Sequence, residues 1–190
     1  MRTQNRIRAA FPRFLWHQGG GAMLEFAFAM PVLVGLVMGG VEFARFALVN
    51  QKMERVTTFV GDLVARAEAL DEADFVDYFA AAQQLGVPFD LISEGNIIVT
   101  SVTGEASGPE VLWQQVGNGS VTQSSQVGAP GETPTLPAGF NVDEGEGLVI
   151  TEVYFDFEPM MLPVLIPARR LYYQAIYRPR RTAILALQQE

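Results

Sequence analysis

An α+β fold is predicted: a long N-terminal helix, partly transmembrane, followed by a small head with a mainly antiparallel sheet. Three observations carry this. Phe26 to Val41 holds sixteen residues without a charge or a polar side chain. Val49 to Leu70 then carries apolar residues at helical spacing. Beyond residue 95 the helical period gives way to strict alternation, the mark of strands.

The apolar run is preceded by a basic leader, residues 1–20, with Arg2, Arg6, Arg8 and Arg13 and no acid. Without it, nine basic side chains face 21 acidic ones, a net charge of −12. This split predicts a cytoplasmic leader and an exported body. An acidic body also argues against nonspecific nucleic-acid binding, which needs clustered Lys and Arg. In the leader, Phe11, Phe14, Leu15 and Trp16 suit a headgroup layer, and His17 is the single histidine. An ordinary signal peptide fits less well, because no A-x-A site follows the apolar run.

Sixteen helical residues reach about 24 Å, whereas a hydrocarbon core of about 30 Å needs about 20 residues. Extension in one direction brings in Glu25. In the other it brings in Glu42 and Arg45, three apart and able to neutralise each other. Glu25 has no basic residue three or four positions away. It therefore either rides at headgroup level or meets a partner supplied from elsewhere, since an unpaired carboxylate in the membrane costs about 2.5–3.5 kcal/mol. Pro31 removes one helical hydrogen bond and is expected to kink the span. Gly35 and Gly39 form a small-xxx-small pair that either packs closely against another helix or has no particular partner.

Gly20-Gly21-Ala22-Met23-Leu24-Glu25-Phe26 resembles a type IV prepilin processing site, and more narrowly the TadE-like minor pseudopilins of the Tad (Flp, tight-adherence) pilus system. Glu25-Phe26-Ala27 and Pro31 match that family's run as well. The resemblance implies a pilin-like fold and removal of the leader by a prepilin peptidase between Gly20 and Gly21. Glu25 would stand at the fifth mature position, followed by Phe26, and would meet the amino terminus of a neighbouring subunit. The implied partners are the inner membrane, the peptidase, other pilin or pseudopilin subunits and the Tad assembly platform. The implied place is a bacterial inner membrane, crossed once, with the head on the periplasmic side. The competing reading is an uncleaved single-pass envelope protein whose exported head binds a partner.

The chain is thus divided at 1–20, 21–70 and 71–190. In the second part the membrane helix continues into an amphipathic one, to about Glu68. Val49, Met53, Val56, Val60, Leu63, Ala67 and Leu70 form a heptad stripe. It packs either on other subunits or on the chain's own head, and for its distal half the head is expected. Gly61 weakens this helix by about 1 kcal/mol against alanine.

In the head, Asp71 to Asp74 marks a helix start, and a helix from Glu72 to Leu85 presents Phe75, Phe79 and Ala82 on one face. Gly86 and Pro88 end it. Strands are expected at Asn96–Thr103, Glu110–Val116, Leu148–Phe157 and Leu171–Arg178, with a turn spanning Thr103 to Pro109. Residues 117–147 read as a flexible loop rich in Gly, Ser, Thr and Pro. Its acids Asp143, Glu144 and Glu146 lack the order of a calcium loop. The stretch Glu158 to Pro167 is apolar and broken by prolines; it is either a surface for a partner or a membrane, which is the expectation, or the lid of the core.

No catalytic or cofactor fingerprint is present: no G-x-S-x-G, no H-E-x-x-H, no phosphate loop, no dinucleotide motif. Without cysteine, disulfides and cysteine zinc sites are excluded. The expectation is a structural subunit, not an enzyme, with no cofactor and no metal. A hydrolase using two carboxylates is the remaining catalytic reading, and no spacing singles out a pair.

Overall fold

The computed structural model describes residues 20–67 and 69–179. The basic leader up to residue 19, Glu68 and the C-terminal tail from residue 180 lie outside the described residues. The order of elements is α1 (Gly21–Arg66), α2 (Glu72–Gly86), α3 (Leu91–Glu94), β1 (Gly95–Glu105), β2 (Gly108–Val116), β3 (Gly147–Phe157) and β4 (Arg169–Tyr177). The four strands form one antiparallel sheet in the order β2-β1-β3-β4.

Helix α1 is a single element of 46 residues, about 69 Å long. It passes through Pro31 without interruption. Its two halves differ in environment. An 18-residue apolar window in the N-terminal half has nothing buried within the chain. The distal half buries Val49, Met53, Val56, Val60 and Val64 against the head. The expected stripe holds as far as Val60. There Val64, not Leu63, takes the buried place, and Leu63 and Ala67 are half-buried. A strict seven-residue repeat needs a supercoil to stay on one face. A straight helix of 3.6 residues per turn drifts by about 20° per heptad, which brings Val64 round.

The helix ends at Arg66, where Ala67 turns to an extended backbone. Leu70 is then tucked into the core. Helix α2 starts on a full capping box: Asp71 accepts from the Asp74 amide at 2.9 Å, and Asp74 accepts from the Asp71 amide at 3.1 Å. Phe75, Phe79 and Ala82 are its buried face, as their spacing requires. Phe75 meets Trp113 of β2 edge-on at 5.5 Å between ring centroids.

The sheet is covered on both sides. Its inner face, with Ile97, Val99, Trp113, Val149, Val153, Phe155 and Phe157, packs on α1 and α2. Its outer face is covered by segment 117–146, through Val121 on Ile98 and Tyr154 and through Val127 and Val142 on Val102, Val111, Leu148 and Ile150. The β1–β2 turn is tighter than expected. Pairing continues through Gly104↔Pro109 and Glu105↔Gly108, which leaves only Ala106 and Ser107 between the strands. Gly108 closes the turn at φ +117°, a conformation that favours glycine. A bulge at Leu112 then lets Trp113 point inward while Val111 points outward.

Candidate functional site

The N-terminal end of α1 carries the residues singled out in the sequence. Gly20 is the N-cap, and no side chain caps the helix. Gly21 is the first helical residue, so Glu25 lies just past the first turn. Glu25 is exposed and has no hydrogen bond or ion pair with any of the described residues. Phe26 beside it is 61% exposed. A lone carboxylate on an apolar, uncovered helix lacks compensation among the described residues.

Along the span, Gly35 opens onto empty space, whereas Gly39 is occupied. A Cβ built on Gly39 would lie 3.1 Å from Cδ1 of Leu165 and 3.9 Å from Cδ1 of Leu162. The chain itself therefore lays a loop on Gly39. This loop, residues 158–168, leaves β3 at Phe157 and returns as β4 at Arg169.

The loop is fixed to α1 by Glu42, whose role the sequence did not reveal. Glu42 is 1% exposed. Its carboxylate accepts the Met160 amide at 3.1 and 3.0 Å and the Met161 amide at 2.7 Å. Arg45, its expected partner, stands 3.8 Å away. The pair is an ion pair at that distance, and the Arg45 guanidinium also donates to the Glu158 carbonyl and lies over the rings of Phe157 and Phe89, at 5.1 and 5.9 Å. The contacts of Glu42 and Arg45 with residues 157–161 join positions more than a hundred apart, so no local pattern announces them.

A second buried carboxylate holds the outer segment. Glu152 of β3 is fully buried and accepts from the Gln126 amide at 2.9 Å, the Tyr154 hydroxyl at 3.1 Å and the Tyr172 hydroxyl at 3.0 Å. The Ser125 hydroxyl donates to it as well. Burial, and next the nearby Glu152 charge, push the Tyr154 and Tyr172 phenols well above their ordinary range. Four donors converge on the one carboxylate, and the Tyr154 hydroxyl also reaches the Ser124 carbonyl at 3.2 Å, so the chemistry of the cluster is that of a fastening.

A groove of about 480 Å³ runs between α2 and the end of β2 and is lined by Phe75, Val76, Phe79, Gln83, Val116 and Asn118. It holds no pair of titratable groups aimed at a common point. Among the described residues, no cluster of His, Asp or Glu is placed to hold a metal ion.

Comparison with curated proteins and with solved structures found no match. A scan against family models found one for residues 20–59, described as TadE-like protein. The matched stretch runs from Gly20 through the uncovered half of α1 and into its buried half. It includes the glycine step, Glu25, Phe26, Pro31, Gly35, Gly39 and Glu42. Over that segment the chain is similar to the TadE-like proteins.

Proposed function

We propose that this chain is a minor pseudopilin-like structural subunit that helps to initiate or assemble a Tad/Flp pilus. Its leader is removed by a prepilin peptidase between Gly20 and Gly21. Glu25 then binds the new amino terminus of a neighbouring subunit, with Phe26 as part of the recognition run. The helix is anchored in a bacterial inner membrane, the leader faces the cytoplasm and the head lies outside it. Other pilin or pseudopilin subunits and the Tad assembly platform are its partners.

The observation that carries this reading is the bareness of Glu25, exposed on an uncovered apolar helix and without a partner among the described residues. A positive amino terminus is the kind of group such a carboxylate needs inside a membrane. The family match over residues 20–59 supports the same reading.

The test is the intact mass of the membrane-inserted chain, produced with and without a prepilin peptidase. A loss equal to residues 1–20, seen only with the peptidase, is the expected result. A full-length mass in both cases would favour the uncleaved envelope protein.

A further inference from the structure

The loop after β3 runs down α1 toward its apolar half in clear register. Phe157 touches Phe46 edge-on, at 5.2 Å between ring centroids. The Glu158 carbonyl takes Arg45, the Met160 and Met161 amides take Glu42, and Leu165 lies on Gly39. From Phe46 to Gly39 the descent is about 10 Å. The loop therefore reaches a turn of the helix that belongs to the uncharged run.

At that depth its apolar side chains face outward. Val164 is 92% exposed, Met160 69% and Leu165 61%. From Pro159 to Pro167 the loop contains no charged or polar side chain. Just above it Arg169 lies over the Phe46 ring, at 4.6 Å.

The loop also alters the outward face of α1. Glu42 and Arg45, which end the uncharged run in sequence, are turned inward onto the loop. The outward residues Val41, Phe43 and Leu48 remain apolar and exposed. The uncovered apolar surface thus extends from Phe26 to Leu48, about 34 Å. That spans the roughly 30 Å hydrocarbon core which Phe26 to Val41 alone does not.

We propose that residues 159–167 are a membrane-seated collar: a loop lying in the lipid leaflet nearest the head, with Met160, Val164 and Leu165 among the acyl chains. Arg169 then sits at the anionic headgroups. The loop shields Glu42 from lipid, and the span reaches full thickness with Glu42 buried and Arg45 three-quarters covered. The occupant of the exposed patch is the bilayer, because the patch is continuous with the uncovered surface of α1. This inference rests on α1 crossing a membrane, as proposed above.

The chain has no cysteine, so single-cysteine variants can be labelled cleanly. Val164→Cys, Leu36→Cys and Ser107→Cys would each carry a nitroxide in the full chain, in phosphatidylethanolamine/phosphatidylglycerol vesicles. All three sites are exposed, and Ser107 lies in the turn at the opposite end of the sheet. Collision with oxygen reports lipid, and collision with an aqueous nickel chelate reports water. The expected result is an oxygen-favouring label at Val164, like Leu36 and unlike Ser107. A nickel-accessible Val164 beside a lipid-exposed Leu36 overturns the collar and leaves the membrane span standing. A Val164 label shielded from both reagents also overturns it, in favour of a second copy of the chain on the patch. A water-exposed Leu36 overturns both the span and the collar.

Discussion

Gly61 and Tyr177 meet where α1 crosses the end of β4, so closely that a Cβ on Gly61 would lie 2.8 Å from the tyrosine ring. Thr151 Oγ1 would be 3.2 Å from the same point. A glycine that weakens a helix in isolation here sets the distance between helix and sheet.

Gly61→Ala should therefore destabilise the head by about 1 kcal/mol. The roughly 1 kcal/mol of helix propensity gained is outweighed by about 1–3 kcal/mol of overpacking. In a Tyr177→Ala background the same change should be neutral or stabilising. Urea unfolding of the full chain in detergent, followed by circular dichroism, reads both. Equal effects in the two backgrounds would show that the ring is not the obstacle.

Glu42→Ala should release the loop after β3. Two part-buried amides would lose a charged acceptor, at a cost of about 2–3 kcal/mol. Hydrogen exchange at Met160 and Met161 should accelerate, with little change in the β1–β3 ladder. Glu42→Gln keeps one acceptor oxygen and should have a smaller effect. Unchanged exchange at the two amides would remove Glu42 from its role as the anchor.

Glu152→Ala should free the segment over the outer face. Four donors would lose their acceptor together, a loss of about 3 kcal/mol. Limited proteolysis should then cut between residues 117 and 146 at protease concentrations that leave the parent chain intact. Equal cutting in both would mean that Val121, Val127 and Val142 suffice to hold the segment.

Three tyrosines predict alkaline sensitivity. Burial pushes the Tyr173 phenol up to about 12, with the Glu54 charge adding to it. Tyr154 and Tyr172 are also raised, first by burial and then by Glu152. A folded-state pKa above the unfolded value of about 10 means that the contribution is fully present below pH 10. It is lost as the pH rises through the folded value. Thermal stability should be flat up to about pH 10 and fall steeply above it. Tyr172→Phe should soften the fall. A stability curve level through pH 12 would contradict the burial of these phenols.

Glu25→Ala should leave insertion and folding unchanged, because none of the described residues bonds to Glu25. Under the proposed function, pilus assembly should drop to background while the protein stays in the membrane fraction. Normal piliation with this variant would remove Glu25 from assembly.

Much of the fold can be read from local pattern. The alternation of β3, the box at Asp71 and Asp74 and the face of α2 each arise from neighbours within a few residues. Their physics is complete inside one element. The stripe on α1 was legible for the same reason, until the drift of a straight helix replaced Leu63 with Val64. Glu42 and Glu152 were not legible. Spacing points Glu42 to Arg45 three residues on, whereas its strong contacts are amides 118 and 119 residues away. Alternation puts Glu152 opposite the inner core of the sheet, which reads as solvent until segment 117–146 is laid over it. The β1–β2 turn shows a smaller version of this gap: Gly104 and Pro109 resemble turn residues, yet both are paired in the sheet.

Helix α1 has no break between its uncovered half and the half clasped by the head. The head thus cannot swivel about the axis of the uncovered half without turning the helix itself. Its azimuth is indexed to the direction in which Glu25 points. Contact at one end of a rod of about 69 Å would select which side of the head, the α2–β2 groove or the segment over the outer face, is turned toward the next molecule.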